Sequence, residues 1–545
     1  MPHLARWTSP LLLRCLAITG LLALLAAPAL AGEPEPDRAT VLATMKRATT
    51  FMVEKVAHRG GYVWNYLPDF SRRWGELEAN RTMVWFQPPG TPTMGHLFLD
   101  AYHATGDEYY YRAAERTAEA VVRAQLPCGG WNYVADFAGE RSLRRWYETV
   151  GANAWRLEEF QHYYGNATFD DGVTSSAATF LLRLYVEKRD PQHRPALDKA
   201  IAFVLAAQHR SGAWPQRFPP ADKFSLHGRP DYTGYLTFND DVTPGSIEFL
   251  LLCWQALGEP RLLEPIRRGM DSFLLVQGPP AQPAWALQYT PDLAPAGART
   301  YEPRAYATHT TAACIEQLLG FHRLTGEHKY LAAIPAALDW LDAVRLPVAP
   351  ASEGRTHPTF LEVGTNRPLY LHRTGSNVVN GRYFADDNPA HLITHYGSLR
   401  EIDVGRLRRL YAEALALPAE RLAQDSPLRP EAPRAPLPRC FTLAAQDHDA
   451  TLGPTRSKRT VAALVASLNR EGYWPAPLHF TSHRYTRAGS ARPAPGDFGA
   501  TRVGDATDTS TYPDPNPANG IATSVYLRNM GVLIRHLERR PPSGP

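Results

Sequence analysis

Two stretches decide the fold: "AQLPCGGW" at 124–131 and "AQHRSGAW" at 207–214. Both read Ala-Gln, four residues, Gly, any residue, Trp, and each closes a run with apolar positions at three- and four-residue steps. "DEYYYRAAERTAEAVVRAQ" (107–125) and "HRPALDKAIAFVLAAQ" (193–208) are such runs, as are "GSIEFLLLCWQAL" (245–257) and "TAACIEQLLGFHRL" (311–324). That spacing predicts amphipathic helices. "AYHATGDEYYYRAAE" and "GFHRLTGEHKYLAAI" share a Thr-Gly-acid turn between a first and a second helix. "RGGYVW" (59–64) and "REGYWPAP" (470–477) are further Gly-aromatic elements. First helices are expected to start near Thr93, Thr174, Thr243, Thr310 and Thr523, the first four roughly 65–80 residues apart. A recurring helical hairpin stacks on its neighbours with the apolar face inward. Closed into a ring it is an all-α, α/α toroid; left open it is a helical solenoid. The loops between hairpins are longer than packing alone requires, and function is expected there.

The 545 residues are 44% hydrophobic and 21% charged, with a net charge of +4. The chain therefore reads as globular, and its charge is too small to indicate a nucleic-acid partner. Residues 1–31 read as a secretory signal peptide: Arg6 and Arg14 precede or flank a short apolar run, and Ala29-Leu30-Ala31 suits cleavage. A periplasmic or secreted protein with no stable membrane anchor follows. Cys128, Cys253, Cys314 and Cys440 are widely spaced and form no metal-binding pattern. The expected organisation is a toroid catalytic domain at 32–424, a Pro-rich linker or surface-hugging segment at 425–439, and a C-terminal segment at 440–545 whose last helix completes the ring. A monomer is expected.

"TFDDGVTSS" (168–176) and "TFNDDVTPGS" (237–246) stand at two of the first-helix starts. One Asp at such a place is a good N-cap. Capping does not account for the doublets Asp170-Asp171 and Asp240-Asp241, whose adjacent carboxylates repel. A hard cation such as Ca²⁺ or Mg²⁺ offsets that repulsion, and a toroid would put both doublets on one rim.

The run "AQHRSGAWPQRFP…YLTFNDDVTPGSIEFLL" resembles the pectate lyases of polysaccharide lyase family 10. "PCGGWNYVADF", "TFDDGVTSS", "AWALQYTPDLAPAGARTYEPRA" and "FLEVGTNRPLYLHR" resemble further segments of that family, in its order, over roughly 115–385. The resemblance implies an α/α toroid that cleaves polygalacturonate, or a related acidic polysaccharide of uronates, by Ca²⁺-assisted β-elimination. It implies metal-binding roles for Asp170, Asp240 and Asp241, and substrate contacts at Asp170 and Asp171. Arg299 matches the catalytic base and Arg367 a substrate-carboxylate arginine. An arginine base needs a depressed pKa, and a structural ion pair of Arg299 with Glu302 is the competing reading. Trp131 and Trp214 are candidates for stacking on sugar rings, with core packing the competing reading. The family's lysine after Gly-Gly-Trp is absent, with Asn132 or Tyr133 in its place; Arg373, Arg382 or His309 are candidates to compensate. Two other functions fit the same architecture: a glycoside hydrolase using Asp170 and Asp240 as its acid pair, and an inactive protein that binds acidic polysaccharide.

Overall fold

The structure is a computed structural model that describes residues 35–153, 158–221, 225, 228–347, 355–374, 382–389, 399–432, 434, 436–442, 460–477 and 519–539. The signal-peptide reading of 1–31 lies outside the described residues. Fifteen helices are present among them: α1 (Arg38–Phe51), α2 (Thr91–Thr105), α3 (Glu108–Ala124), α4 (Glu140–Thr149), α5 (Val173–Lys188), α6 (Arg194–Ala207), α7 (Val242–Leu257), α8 (Leu263–Leu275), α9 (Thr308–Thr325), α10 (Lys329–Ala332), α11 (Ile334–Ala343), α12 (Val404–Leu415), α13 (Ala419–Asp425), α14 (Val461–Ser467) and α15 (Thr523–Arg539).

Their packing is that of an α/α toroid. The first helices of successive hairpins lie side by side, α15 on α2, α2 on α5 and α5 on α7. Each first helix carries its second helix outside it: α3 on α2, α6 on α5, α8 on α7, and α10 with α11 on α9. The N-terminal helix α1 packs on α15, so the two ends of the chain meet in one layer. The short strand Asn519–Ala522 reinforces this by pairing with Asn65–Tyr66 and with Ala476–Pro477. First helices are buried on most faces; α5, for example, buries ten residues from Val173 to Leu184. Second helices are amphipathic, as α3 shows by burying Tyr110, Tyr111, Ala113, Ala114, Thr117, Ala118, Ala120 and Val121 while Arg112, Glu119 and Arg123 are exposed.

The repeated motif is the fastener between hairpins. Trp131 Nε1 donates to the Val121 carbonyl at 2.8 Å and Trp214 Nε1 to the Val204 carbonyl at 2.7 Å, each locking a loop onto the end of its second helix. The backbone N–H groups of Trp131, Trp214 and Trp285 donate to Thr174, Thr243 and Thr311, at the start of the next first helix. Gln125 and Gln208 reach across to the carbonyls of Ala196 and Pro265 in the next second helix. These bonds satisfy buried loop polar groups that packing would otherwise leave unpaired. Trp131 and Trp214 are fully buried. The expectation that they stack on sugars is therefore corrected: their rings have no free face, and core packing uses both.

The 425–439 stretch lies along the molecule. Trp254 donates to the Pro427 carbonyl, Leu428 is fully buried, Arg434 donates to the Leu257 carbonyl and Arg439 to that of His103. These contacts are at the C-terminal ends of α2 and α7. The opposite ends, where first helices begin, carry short strand pairs: 83–85 with 134–136, 167–168 with 217–218, and 236–237 with 288–289. A second, smaller core of Leu287, Tyr301, Ala305, Ala307, Phe360, Leu369 and Leu371 extends that rim and supports the loop bearing Arg299. Cys128, Cys253, Cys314 and Cys440 are free thiols. No helix among the described residues is long and apolar enough to cross a membrane.

Candidate active site

Both Asp doublets sit at the rim, and three of their four residues are in left-handed backbone. Asp171 has φ 52°, Asp240 50° and Asp241 55°. Asp tolerates this region better than most side chains, and such backbone tends to be kept where a site needs a particular direction. Neither doublet makes a side-chain capping bond. The cap positions of α5 and α7 are Gly172 and Asp241, and neither has a side-chain cap bond. Elsewhere Asp37, Asp107 and Asp403 do cap their helices, so the chain uses aspartate caps freely but not here.

The carboxylates converge instead. One oxygen each from Asp170, Asp171 and Asp240 lies within 4.8 Å of the others. Asp171 takes the place expected of Asp241, which follows Asp240 into the helix start. Arg299 inserts into this group. Its Nη2 meets Asp170 Oδ2 at 2.7 Å, its Nη1 meets Glu302 at 3.1 Å and Asp240 at 3.5 Å, and its Nε meets Glu159 at 3.3 Å. The ion pair with Glu302 is thus present, as one of four. A tight turn holds the loop, with the Arg299 N–H on the Glu302 carboxylate at 3.0 Å and the Glu302 N–H on the Arg299 carbonyl at 2.8 Å.

Around this centre, Tyr133 donates its hydroxyl to Asp170 Oδ2 at 2.5 Å. Asn239 donates to Asp240 at 2.6 Å, and Gln87 to Asp171 at 2.6 Å and to Glu76 at 3.0 Å. The Glu158 carboxylate accepts the backbone N–H and the hydroxyl of Thr300. Asp170 Oδ1 is buried and has no hydrogen-bond partner. So Arg299 alone meets four carboxylates, and Asp171 and Glu158 add to the acid excess.

The electrostatics follow. Burial, the neighbouring Asp170 and then Glu76 push Asp171 well above the ordinary carboxylate range. Burial, Asp170 and Asp171 do the same to Asp240. Burial raises Glu158 to about 7 and also raises Glu159. Burial pulls Arg299 down, but Asp170, Glu302 and Glu159 together outweigh it and leave its guanidinium held above the ordinary arginine value. The depressed arginine pKa that a base requires is thus not a property of the four-carboxylate arrangement by itself.

Arg367 is half-exposed on a hairpin. It pairs with Glu362 at 3.0 Å and with Asp387 at 3.7 Å, and its side chain is not among the partners of the central cluster. The side chains of Arg373 and Arg382 lie outside the described residues. His309, in the first turn of α9, has a buried Nδ1 without a partner, and burial lowers its pKa well below the ordinary value. Sequence reasoning did not find Glu158, Glu159, Glu76 or Gln87. It also left Arg217 aside, although "WPQRFP" follows one of the decisive motifs. Arg217 is buried, lies over the rings of Tyr133 and Tyr164 at 5.1 and 4.7 Å, and bonds Asn132 and Asn166. A cation therefore does stand behind Tyr133, near the place of the missing lysine.

Residues 134–383 match the family model described as pectic acid lyase. That segment is thus similar to the pectic acid lyases, a family of polysaccharide lyases. It holds Asp170, Asp171, Asp240, Arg299, Glu302 and Arg367, while Tyr133 precedes its first residue. Among solved structures, the family 10 polysaccharide lyase from Cellvibrio cellulosa is similar at 16% identity over 62% of this chain and 98% of that one, with a TM-score of 0.36. A variant of that lyase was solved in complex with trigalacturonic acid. An α-1,6-mannanase from Salegentibacter sp. is similar at 12% identity over 91% of this chain and 97% of its own, with a TM-score of 0.33. No curated protein sequence matches the chain.

Proposed function

We propose that the protein cleaves an acidic polysaccharide of the polygalacturonate type by β-elimination, at the rim where α5 and α7 begin. The observation that carries this is the acid excess around Arg299 inside the pectic acid lyase segment, with the orphaned Asp170 Oδ1 at its centre. One carboxylate oxygen from each of Asp170, Asp171 and Asp240 within 4.8 Å of the others, in a cluster that also holds the unpartnered Asp170 Oδ1, suits a hard divalent cation such as Ca²⁺. Asp170, Asp171 and Asp240 would hold it. When bound, the cation neutralises the uronate carboxylate, which makes the adjacent C5–H more acidic.

The chain's own residues do the rest. Glu302 and Glu159 orient the guanidinium of Arg299 toward Asp170 and Asp240. Its neutral form takes the C5 proton, a C4–C5 double bond forms as the C4–O4 bond breaks, and O4 leaves on the departing sugar, taking up a proton from water. Were Asp170 and Asp240 to hold a cation, two of the carboxylates that keep Arg299 protonated would be neutralised. That is the direction a base requires. Tyr133 keeps Asp170 Oδ2 in place, and Arg367 on its half-exposed hairpin is available for a neighbouring uronate.

Hydrolysis by the Asp pair is the second reading, favoured by the raised pKa of Asp171 and Asp240, which keeps an acid available. Oxygens within 4.8 Å are closer than the roughly 6.5–9.5 Å of inverting pairs and inside even the retaining spacing of about 5–5.5 Å. The test is purified protein on polygalacturonate with and without Ca²⁺, following ultraviolet absorbance of unsaturated product alongside reducing ends. Unsaturated product that disappears on chelation is expected. Reducing ends without unsaturation that survive chelation would establish hydrolysis, and neither signal on any uronate polymer would leave only binding.

A further inference from the structure

A second cluster of potential ligands lies at the far end of α5 from the acidic rim. Glu115, on α3, and Asp190 and His193, in the turn before α6, each bring one ligand atom within 4.8 Å of the others. The sixteen residues of α5 stand between Asp170 and Asp190, a span of about 24 Å at 1.5 Å per residue. The two clusters are therefore separate sites.

A bland account covers part of this second group. Asp190 begins the turn Pro191–His193 and accepts the Gln192 backbone N–H at 3.0 Å and the Gln192 side-chain amide at 2.8 Å. Each of its oxygens retains a further lone pair. The turn does not account for the other two members. His193 is more than nine-tenths buried, and its Nε2 is buried with no hydrogen-bond partner. A buried imidazole nitrogen without a partner is costly, and it stands beside two carboxylates. Glu115 makes no hydrogen bond or ion pair among the described residues. It therefore stays available although it is partly buried.

We propose that Glu115, Asp190 and His193 form a second metal site, one that takes a divalent transition ion such as Zn²⁺ rather than Ca²⁺. One imidazole nitrogen with two carboxylates is a mixed N/O set, which suits Zn²⁺ and its neighbours in the first transition row. The all-oxygen set at the rim suits a hard cation instead. Three protein ligands leave a fourth position for water. The ligands come from the outer helix of one hairpin and from the turn that starts the outer helix of the next. A bound ion would therefore clasp two consecutive hairpins on the outside of the toroid.

The experiment is calorimetric titration of the chelator-stripped full chain with ZnCl₂, in a background carrying Asp240→Asn so that the rim cluster does not contribute. One Zn²⁺ is expected to bind and to raise the melting temperature. Glu115→Gln, a near-isosteric change on a partly exposed helix position, is expected to weaken binding at least about tenfold. That is the scale of loss when even an outer partner of a metal ligand is removed. His193→Gln should do the same, with circular dichroism confirming that the helices persist. No Zn²⁺ binding in the Asp240→Asn background, or binding unchanged by Glu115→Gln, would overturn the site. CaCl₂ binding as tightly as ZnCl₂ would overturn its assignment to transition ions. None of these outcomes depends on lyase activity.

Discussion

Arg183 and Arg299 are both buried in the toroid, yet they are surrounded in opposite ways. Arg183 meets one carboxylate, Asp100, at 2.8 Å, and that carboxylate is fully served. The backbone N–H groups of Phe441 and Thr442 and the Thr442 hydroxyl complete its bonding. Arg183 spends its remaining donors on the carbonyls of His96 and Arg439 and lies 4.1 Å over the Phe441 ring. Charges and hydrogen bonds balance, and burial is the main influence on the guanidinium, lowering its pKa. Arg299 meets four carboxylates, and one oxygen among them has no partner. A balanced pair holds elements together, here α2, α5 and the 436–442 segment. An acid excess is destabilising until a cation joins it, which is why it marks a site rather than a joint.

The largest expected effect is on turnover. Arg299→Ala should lower β-elimination by about 10²–10⁴-fold, the scale of a lost acid–base group. Circular dichroism should show the helices retained, because the freed carboxylates can take up protons. Loss of the fold at every pH would turn Arg299 into another Arg183. Asp100→Ala tests the other member of the comparison. It leaves Arg183 buried without a counter-ion, and denaturant unfolding should report a loss of about 3–5 kcal/mol. A loss below about 1 kcal/mol would show that the pair is not a joint.

A third effect is on pH dependence in the absence of divalent cation. In the folded chain Glu158 keeps its proton up to about 7, against an ordinary value of 4.5. Its contribution to stability is complete below 4.5 and is lost as pH rises through about 7, a change on the order of 3 kcal/mol. Asp171 and Asp240 are raised by burial and act in the same sense. The melting temperature should therefore fall between pH 5 and pH 8, and Ca²⁺ should reduce the fall. A melting temperature that rises over that range would contradict the acid-excess description. The smallest effect is expected at Arg367. It is half-exposed and already paired with Glu362, so Arg367→Ala should raise KM a few-fold with kcat unchanged, the pattern of lost uniform binding.

The toroid is legible in the sequence because each fastening residue recurs at a fixed offset. Gln125 and Gln208, Trp131 and Trp214, and Thr174 and Thr243 perform identical bonds in successive hairpins. The same regularity left open whether the two tryptophans stack on sugars or pack in the core, since an indole two residues after Gly looks available until its N–H is seen to lock a helix end. The Asp doublets were legible because adjacent like charges need a reason, and the structure brings three of their four members together. Glu158 and Glu159 were not, because "RLEEF" reads as an ordinary solvated helix face. Their burial comes from a loop folding back beneath Arg299 and Thr300, a long-range contact with no local signature. The exchange of Asp171 for Asp241 was likewise out of reach, since it depends on which way two left-handed residues turn their side chains.

The central claim is that the carboxylate excess at Arg299 exists to hold a cation, and calcium titration calorimetry tests it most directly. The chelator-stripped protein should bind Ca²⁺ at the rim, and Asp240→Asn should lose that binding while melting no lower than the parent in the absence of metal. An unchanged Ca²⁺ titration in Asp240→Asn, or a parent protein that binds none, would contradict it.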